Sequence, residues 1–568
     1  MFAVCGIRSL YTAARFPRLC RLLSQTFPSS THKEFNNLYS TTWPPGRPAK
    51  QTSKFVNLYL FNPPANDYST KQSDSLRNKI PLNKTILSLK TVEEQLHLFE
   101  STKASADLVK RVIILYNIAK ITEQDENQKQ FLEQQREKVK LKESSEYVEL
   151  LESISRDISK CQPRDLANMM WALGKIREKD HKLVQVCEKE IGSRDIVAFD
   201  NAGICQIANG CATLNMRISD IFQNIEEGIL NGQVKIQGFE NRELSGILLS
   251  FSKTGNGSDE LFLVFLNEIL SRDFLGIDCR QLAGFVWSFA KKKFKADVLF
   301  EHVEEEILRR GTTDFHNSEL IQLLWAFATA EKGSKQLFYL LDNELVARGV
   351  EKFDNAPLSE IVWSFTKKIV REAKVFDLVK KEVLSRGVRK FKSHELVLIL
   401  LSFVSAQRHD DMLVAEIQAE LCLRDVKQFR NGHLCQVAWS LGRAEKSDSK
   451  MFDVIEREVF QRGVSEFSMK QKRMLMRGFI DANRGSNKFY ELLVRSFSPN
   501  DLFNLNRVAI CECVWCFANA GVEAGELFDA LEKEILSKGR NYFNAKELTI
   551  IKGSFKQVGR GSAALFGL

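Results

Sequence analysis

The chain has 568 residues, 44% of them hydrophobic and 27% charged, so it is long enough for several domains and apolar enough for a large core. No apolar run approaches the roughly 20 residues that a transmembrane helix needs, which predicts no membrane span. The formal net charge of +9 does not describe a uniformly basic protein, because residues 1–50 alone hold +6 of it.

The first 50 residues have the composition of an organelle transit peptide. Arginines are spaced along them, the first acid is Glu34, and no uninterrupted apolar stretch of the secretory kind is present. We therefore predict a mitochondrial matrix location, with a plastid as the alternative, and a poorly ordered linker over residues 51–85. The competing interpretation of residues 1–50 is a disordered basic tail. Twelve scattered cysteines fit a reducing compartment.

Residues 86–147 are predicted to hold a degenerate helical repeat with a charged insert. The segment from Leu108 to Ile121 is apolar at helical spacing around Ile118. A run dense in Glu, Gln and Lys follows it, which is typical of an exposed helix extension or a mobile linker.

From residue 148 to residue 568 the sequence repeats, and we predict eleven units. One apolar residue per unit, here called the anchor, recurs at steps of 38 residues, with a single step of 40. Leu or Ile stands seven residues before ten of the anchors, and Lys472 takes that place in the remaining unit. A fixed period of this length is typical of repeat architectures. The anchors are Leu173, Cys211, Phe251, Phe289, Phe327, Phe365, Phe403, Leu441, Phe479, Phe517 and Phe555.

Each unit is predicted to contain two helices. In one unit, Ser318 caps a first helix that runs to Ala330, and a second helix runs from Leu337 to Gly349. A glutamate lies four residues before the basic residue that ends most second helices, which predicts an ion pair between the two. Stacked units of this kind bury one continuous core and curve. We therefore predict an all-α fold, a right-handed superhelical α-solenoid.

Four positions of the first helix fall on one side of a helical wheel, opposite the apolar stripe: nine, five and two residues before the anchor, and two after it. We call this side the polar face and expect it to line the inner surface. The residue directly before each anchor is Ala, Gly, Ser or Cys, which predicts close packing of neighbouring first helices.

Tryptophan stands two residues before the anchor in six units. Exposed indoles in a row can stack the bases of a single strand. The alternative is that they pack between neighbouring first helices. The candidates for base stacking are Trp287, Trp325, Trp363 and Trp439.

The other positions of the polar face are rich in amide and basic side chains. Amides can pair with base edges, and Lys and Arg suit phosphate contacts. The alternative for the basic residues is simple solvation at helix ends. The candidates for base contact are Asn168, Gln206, Gln322, Glu360 and Gln436. The candidates for phosphate contact are Lys175, Arg242, Lys253, Arg280, Lys291, Lys367 and Arg443.

No pattern in the sequence predicts catalysis, a metal or a cofactor. Cys511, Cys513 and Cys516 invite a zinc interpretation, but they occupy repeat positions that take small or apolar residues, which favours packing. The eight histidines have no metal-ligand spacing, and no phosphate-binding glycine loop or nucleophile motif is present. We therefore predict a protein that is not an enzyme.

The 38-residue two-helix unit, with Trp or Leu before a Phe anchor and an organelle presequence, resembles the octotricopeptide repeat family. It is also similar to the heptatricopeptide and FAST-kinase-like repeat proteins. The resemblance covers residues 148–568. The Pro-Pro-Pro-Glu-Trp signature of algal members and a RAP domain are not seen.

The resemblance implies an RNA-binding solenoid that acts on organellar transcripts or holds ribosomal RNA. Its partners would be single-stranded mRNA or rRNA, with the mitochondrial ribosome or other RNA-processing proteins. Stability, processing, translation and ribosome assembly remain open as its roles. The alternative function is a non-catalytic protein-binding scaffold or a structural subunit of the mitochondrial ribosome.

Overall fold

The computed structural model describes residues 80–103, 105–140, 145–217, 219–408, 411–444, 449–503 and 505–568. The predicted transit peptide, residues 1–50, and residues 51–79 of the predicted linker lie outside them. Over these ranges the chain is helical and contains no strand, and neighbouring helices pack in series. The prediction of an all-α fold built like a solenoid is confirmed at this level.

Five helices precede the regular array. The last residues of the predicted linker, 80–85, lie in the first of these helices. The carbonyl oxygen of the buried Ile86 in this helix accepts hydrogen bonds from Gln95 and Asn117. The charged insert forms a helix whose Leu132 is buried and whose Arg136 pairs with Glu178. The helices are α1 (Ile80–Ser88), α2 (Val92–Thr102), α3 (Leu108–Gln124), α4 (Glu126–Lys140) and α5 (Glu146–Asp157). Thus α5 crosses the boundary predicted at residue 148.

First and second helices then alternate, and successive first helices begin 38 residues apart except for one step of 40. The first helices are α6 (Pro163–Lys175), α8 (Asn201–Thr213), α10 (Asn241–Thr254), α12 (Cys279–Lys292), α14 (Asn317–Thr329), α16 (Asn355–Lys367), α18 (Ser393–Ser405), α20 (Asn431–Arg443), α22 (Met469–Asp481), α24 (Arg507–Asn519) and α26 (Ala545–Gln557). The second helices are α7 (Lys182–Gly192), α9 (Asp220–Leu230), α11 (Asp259–Leu270), α13 (Asp297–Arg310), α15 (Lys335–Arg348), α17 (Val375–Arg386), α19 (Asp411–Leu423), α21 (Ser449–Arg462), α23 (Asn487–Arg495), α25 (Gly525–Lys538) and α27 (Ala563–Gly567).

The core lies between a layer of first helices and a layer of second helices. In α14, Leu320, Leu323, Leu324 and the anchor Phe327 are fully buried, as the apolar stripe predicts. Adjacent units are joined by aromatic contacts in this core: Phe300 of α13 meets Phe327 edge to face, with ring centroids 5.2 Å apart. Each unit therefore completes its apolar core against the next unit.

First helices approach one another more closely than second helices do. The small residue before each anchor permits this approach. A Cβ atom on Gly210 would lie 2.3 Å from the Met170 carbonyl oxygen of the preceding first helix, and one on Gly478 would lie 2.4 Å from the Ala438 carbonyl carbon. The backbones of neighbouring first helices are in contact at these points.

We expect Gly210→Ala to lower the free energy of unfolding by about 1–3 kcal/mol, because the added methyl group forces two backbones apart. Gly553→Ala is the matched control, since a Cβ atom there meets no atom within 4 Å. That substitution should raise stability by up to about 1 kcal/mol through helix propensity. Urea unfolding followed by circular dichroism measures both changes; equal effects at the two glycines would contradict the close approach.

The predicted glutamate–arginine pairs are present on the second helices and link neighbouring segments. In α21, Arg462 Nε donates to Glu458 over 2.6 Å, and its Nη1 atom donates to the Phe429 carbonyl oxygen over 2.7 Å. The same pair recurs in α15 between Arg348 and Glu344. The end of each such second helix is thereby tied to the loop that leads into the first helix of its own unit, so these cations serve the fold.

Candidate nucleic-acid interface

The polar face is partly exposed along the array. The amide candidates Asn168, Gln206, Gln322 and Gln436 are half-buried, and so is Glu360. Burial raises the pKa of the Glu360 carboxyl group, and the positive charge of Lys291 partly offsets this rise. The chemistry of this position therefore depends on its surroundings as well as on its residue type.

All four candidate indoles, Trp287, Trp325, Trp363 and Trp439, are half-buried and pack on the edge of the core. Trp287 and Trp325 contact each other across two neighbouring first helices, with centroids 5.7 Å apart and planes 37° apart. Each indole therefore has a packed part and an accessible part, so these rings combine packing with partial exposure.

Basic side chains lie over these indoles. The Lys367 ammonium is 6.0 Å from the Trp363 centroid, and the Arg443 guanidinium is 5.8 Å from the Trp439 centroid on the same helix. The third contact joins two units, since Lys291 of α12 lies 5.9 Å from the ring of Trp325 in α14. These are cation–π distances. Positive charge and aromatic surface are thus brought together, as a surface for single-stranded nucleic acid requires.

The basic candidates differ in how far their charge is already paired. Lys175 is in an ion pair with Glu123 of α3 and also lies 5.4 Å from the Trp171 ring. Arg242 is exposed and 4.0 Å from Glu240. Within the described part of the chain, no ion pair involves the remaining candidates, all of them exposed: Lys253, Arg280, Lys291, Lys367 and Arg443.

Basic side chains of α6, α10 and α12 lie near one another. Desolvation lowers the pKa of Lys253, and the nearby charges of Lys175 and Arg280 lower it further. Lys175 lies on α6, Lys253 on α10 and Arg280 on α12, so three units contribute to one basic patch. An anion bound there would relieve this repulsion.

Arg473 and Arg477 of α22 were not among the predicted residues. Arg477 takes the position that Trp holds elsewhere, and its guanidinium stacks 3.7 Å from the Trp515 centroid while pairing with Asp481 over 2.9 Å. Arg473 pairs with Glu512 over 3.3 Å. Arg477 could have been predicted from the sequence, because it stands two residues before its anchor, where six other units have Trp. At this end, acidic residues neutralise the face.

The cysteine cluster of α24 is buried. Burial raises the pKa of Cys511 and Cys513 to about 12, which keeps both thiols protonated near neutral pH. The described residues contain no group of three or more His, Cys, Asp or Glu side chains placed to hold a metal ion. None of the described helices has the length and apolarity needed to cross a bilayer.

No protein-family model matches the chain, and no curated protein matches it significantly.

Proposed function

We propose that this protein binds single-stranded RNA along the polar face of its first helices. The observation that carries the proposal is the series of cations over half-buried indoles on neighbouring first helices, from Lys291 at Trp325 to Arg443 at Trp439. The bases of a single strand would stack beside the indoles while Lys and Arg contact its phosphates. Amide side chains between them would reach base edges.

We further propose that the 38-residue units form a right-handed superhelix with the polar face on its inner side. The closer approach of the first helices supports the inner position of the polar face, because a layer with shorter spacing lies on the inside of a curve. A concave basic surface concentrates the potential that attracts RNA.

The role follows from the resemblance to octotricopeptide repeat proteins and from the composition of residues 1–50. We propose a non-catalytic protein of the mitochondrial matrix that acts in the stability, processing or translation of organellar RNA, or in ribosome assembly. Near Trp515, Asp481 and Glu512 pair with Arg477 and Arg473, so less positive charge is free for RNA at that end of the array. We propose a ribosomal or RNA-processing protein as the neighbour there.

Ultraviolet crosslinking of the tagged full chain in its own cells, followed by sequencing of the bound RNA, tests the proposal. We expect a discrete set of organellar RNAs and crosslinked peptides that map to the first helices. RNA no more abundant than with an unrelated mitochondrial matrix protein would overturn the proposal in favour of the protein-binding scaffold. Crosslinks confined to second helices would reject the polar face as the RNA-binding surface.

A further inference from the structure

A surface cavity of about 530 Å³ opens on the polar face where α18, α20 and α22 begin. Its position follows from the repeat. The place nine residues before the anchor holds Arg164, Arg242 and Arg280 in three of the seven earlier units, and it holds Gly432 in α20. The other four earlier units have Ala202, Ser318, Ala356 and His394 there. Because this position carries no side chain, the space that it would fill remains open.

The walls of the cavity bring together cationic, amide and apolar groups. Arg430 and His394 are exposed, whereas His433, Gln436 and Leu398 are half-buried. Leu398 and Gln436 occupy the same position of the first helix, five residues before the anchor, so the cavity is continuous with the rest of the polar face.

Hydrogen bonds fix two further wall residues. Asn431 Nδ2 donates to the Glu466 carbonyl oxygen over 2.8 Å, and Asn431 Oδ1 accepts from Arg462 over 2.7 Å. Gln471 Oε1 accepts from the backbone N–H of Ser468 over 2.8 Å, and its Nε2 atom lies 3.6 Å from the place of a Cβ on Gly432. The Gln471 amide is therefore held with its donor end toward the cavity.

Arg430 supplies the positive charge of the cavity wall. Burial lowers the pKa of His433, and the neighbouring Arg430 and His394 lower it further. Within the described residues no ion pair involves Arg430. The one acidic wall residue, Glu466, is exposed. The Arg430 guanidinium and the imidazoles of His394 and His433 can donate to an anionic group, and the amides and Leu398 suit an attached aromatic heterocycle.

We propose that this cavity binds one nucleotide of the RNA strand, with its phosphate at Arg430, His394 and His433 and its base against Leu398. The amides of Gln436 and Gln471 would contact the base edge. The volume lies in the range of small-molecule sites and accommodates a whole nucleotide. The inference rests on the proposed function and adds to it a point of base recognition on α18, α20 and α22.

Gly432→Leu tests the site without removing any wall residue. A Cβ atom at Gly432 meets only the Gln471 amide, at 3.6 Å, so the larger side chain enters the cavity without striking backbone. Leu is also a better helix former than Gly, so the fold should be kept. Gly553→Leu in α26 is the matched control, because the space around Gly553 is open and far along the array from the cavity.

Titration calorimetry of the full chain with AMP, GMP, CMP and UMP, with inorganic phosphate and with the four nucleosides measures binding. At least one mononucleotide should bind more tightly than phosphate or its nucleoside, and Gly432→Leu should weaken it about tenfold or more. Arg430→Ala should weaken the nucleotide and phosphate alike, whereas Gly553→Leu should leave both affinities unchanged.

Three results would overturn the inference: no mononucleotide binds, Gly432→Leu binds as well as the unaltered protein, or phosphate alone binds as well as every nucleotide. The proposed function fails separately, since it depends on RNA crosslinks along the whole face. RNA crosslinked to α10–α16 together with an unoccupied cavity would leave that function standing and reject this site.

Discussion

Replacing Lys253, Lys291, Lys367 and Arg443 by alanine should weaken binding of single-stranded RNA roughly 10- to 100-fold at moderate salt. These four side chains extend from exposed positions on α10, α12, α16 and α20, and no ion pair involves them within the described residues. Their loss removes positive charge from the polar face without leaving a buried partner unpaired. The fold should be retained.

Salt dependence separates a phosphate role from an indirect one. Each phosphate contact contributes about 0.7 to the slope of log affinity against log salt for single strands, so four lost contacts should reduce its magnitude by about 3. Fluorescence anisotropy with a labelled RNA identified by crosslinking, over a series of salt concentrations, measures the slope. The control carries the same four-charge loss at exposed residues outside the first helices that are likewise in no ion pair within the described residues: Lys189→Ala, Lys235→Ala, Lys352→Ala and Lys533→Ala. Equal losses of affinity in both variants would mean that net charge, rather than the polar face, controls binding.

Arg348→Ala should lower the free energy of unfolding by about 2–4 kcal/mol. The Arg348 guanidinium donates to Glu344, to the carbonyl oxygens of Phe315, Thr312 and Thr313, and to Asn317 Oδ1. The side chains of Arg348 and Glu344 are only 22% and 14% exposed. Removing the guanidinium leaves a largely buried carboxylate and several carbonyl groups without their donors.

Arg348→Lys should recover only part of this loss, because one ammonium group cannot reach all of these acceptors. Arg495→Ala is the matched control: Arg495 is 80% exposed and 3.7 Å from Glu491, so its removal should change stability by no more than about 0.5 kcal/mol. Denaturant unfolding gives the total effect, and hydrogen exchange should locate the loosened amides at residues 312–317. A loss at Arg348 no larger than that at Arg495 would exclude a role for the guanidinium in holding this loop.

The helical units, their buried stripe and their ion pairs are predictable from residue spacing alone. These features depend on spacing within one helix or between two successive helices, and the repeat shows the same spacing many times. Phe327 is buried because it lies on the apolar stripe of its helix, as every anchor does. Arg348 contacts Glu344 because residues four apart lie about one helical turn apart, on the same side of the helix. Such local rules need no knowledge of how the units stack.

The contacts between side chains of different units depend on how the units stack. Lys291 lies over Trp325 of the next first helix, and Lys175 pairs with Glu123 of α3, 52 residues earlier. Some first helices are followed by a non-glycine residue in the left-handed region, such as Ile369 with φ of 58°. Because glycine is the usual residue there, the sequence does not predict these helix ends. The cavity at Gly432 forms where three first helices meet around a residue that has no side chain. These contacts depend on the distance and rotation between stacked units, which no single repeat specifies.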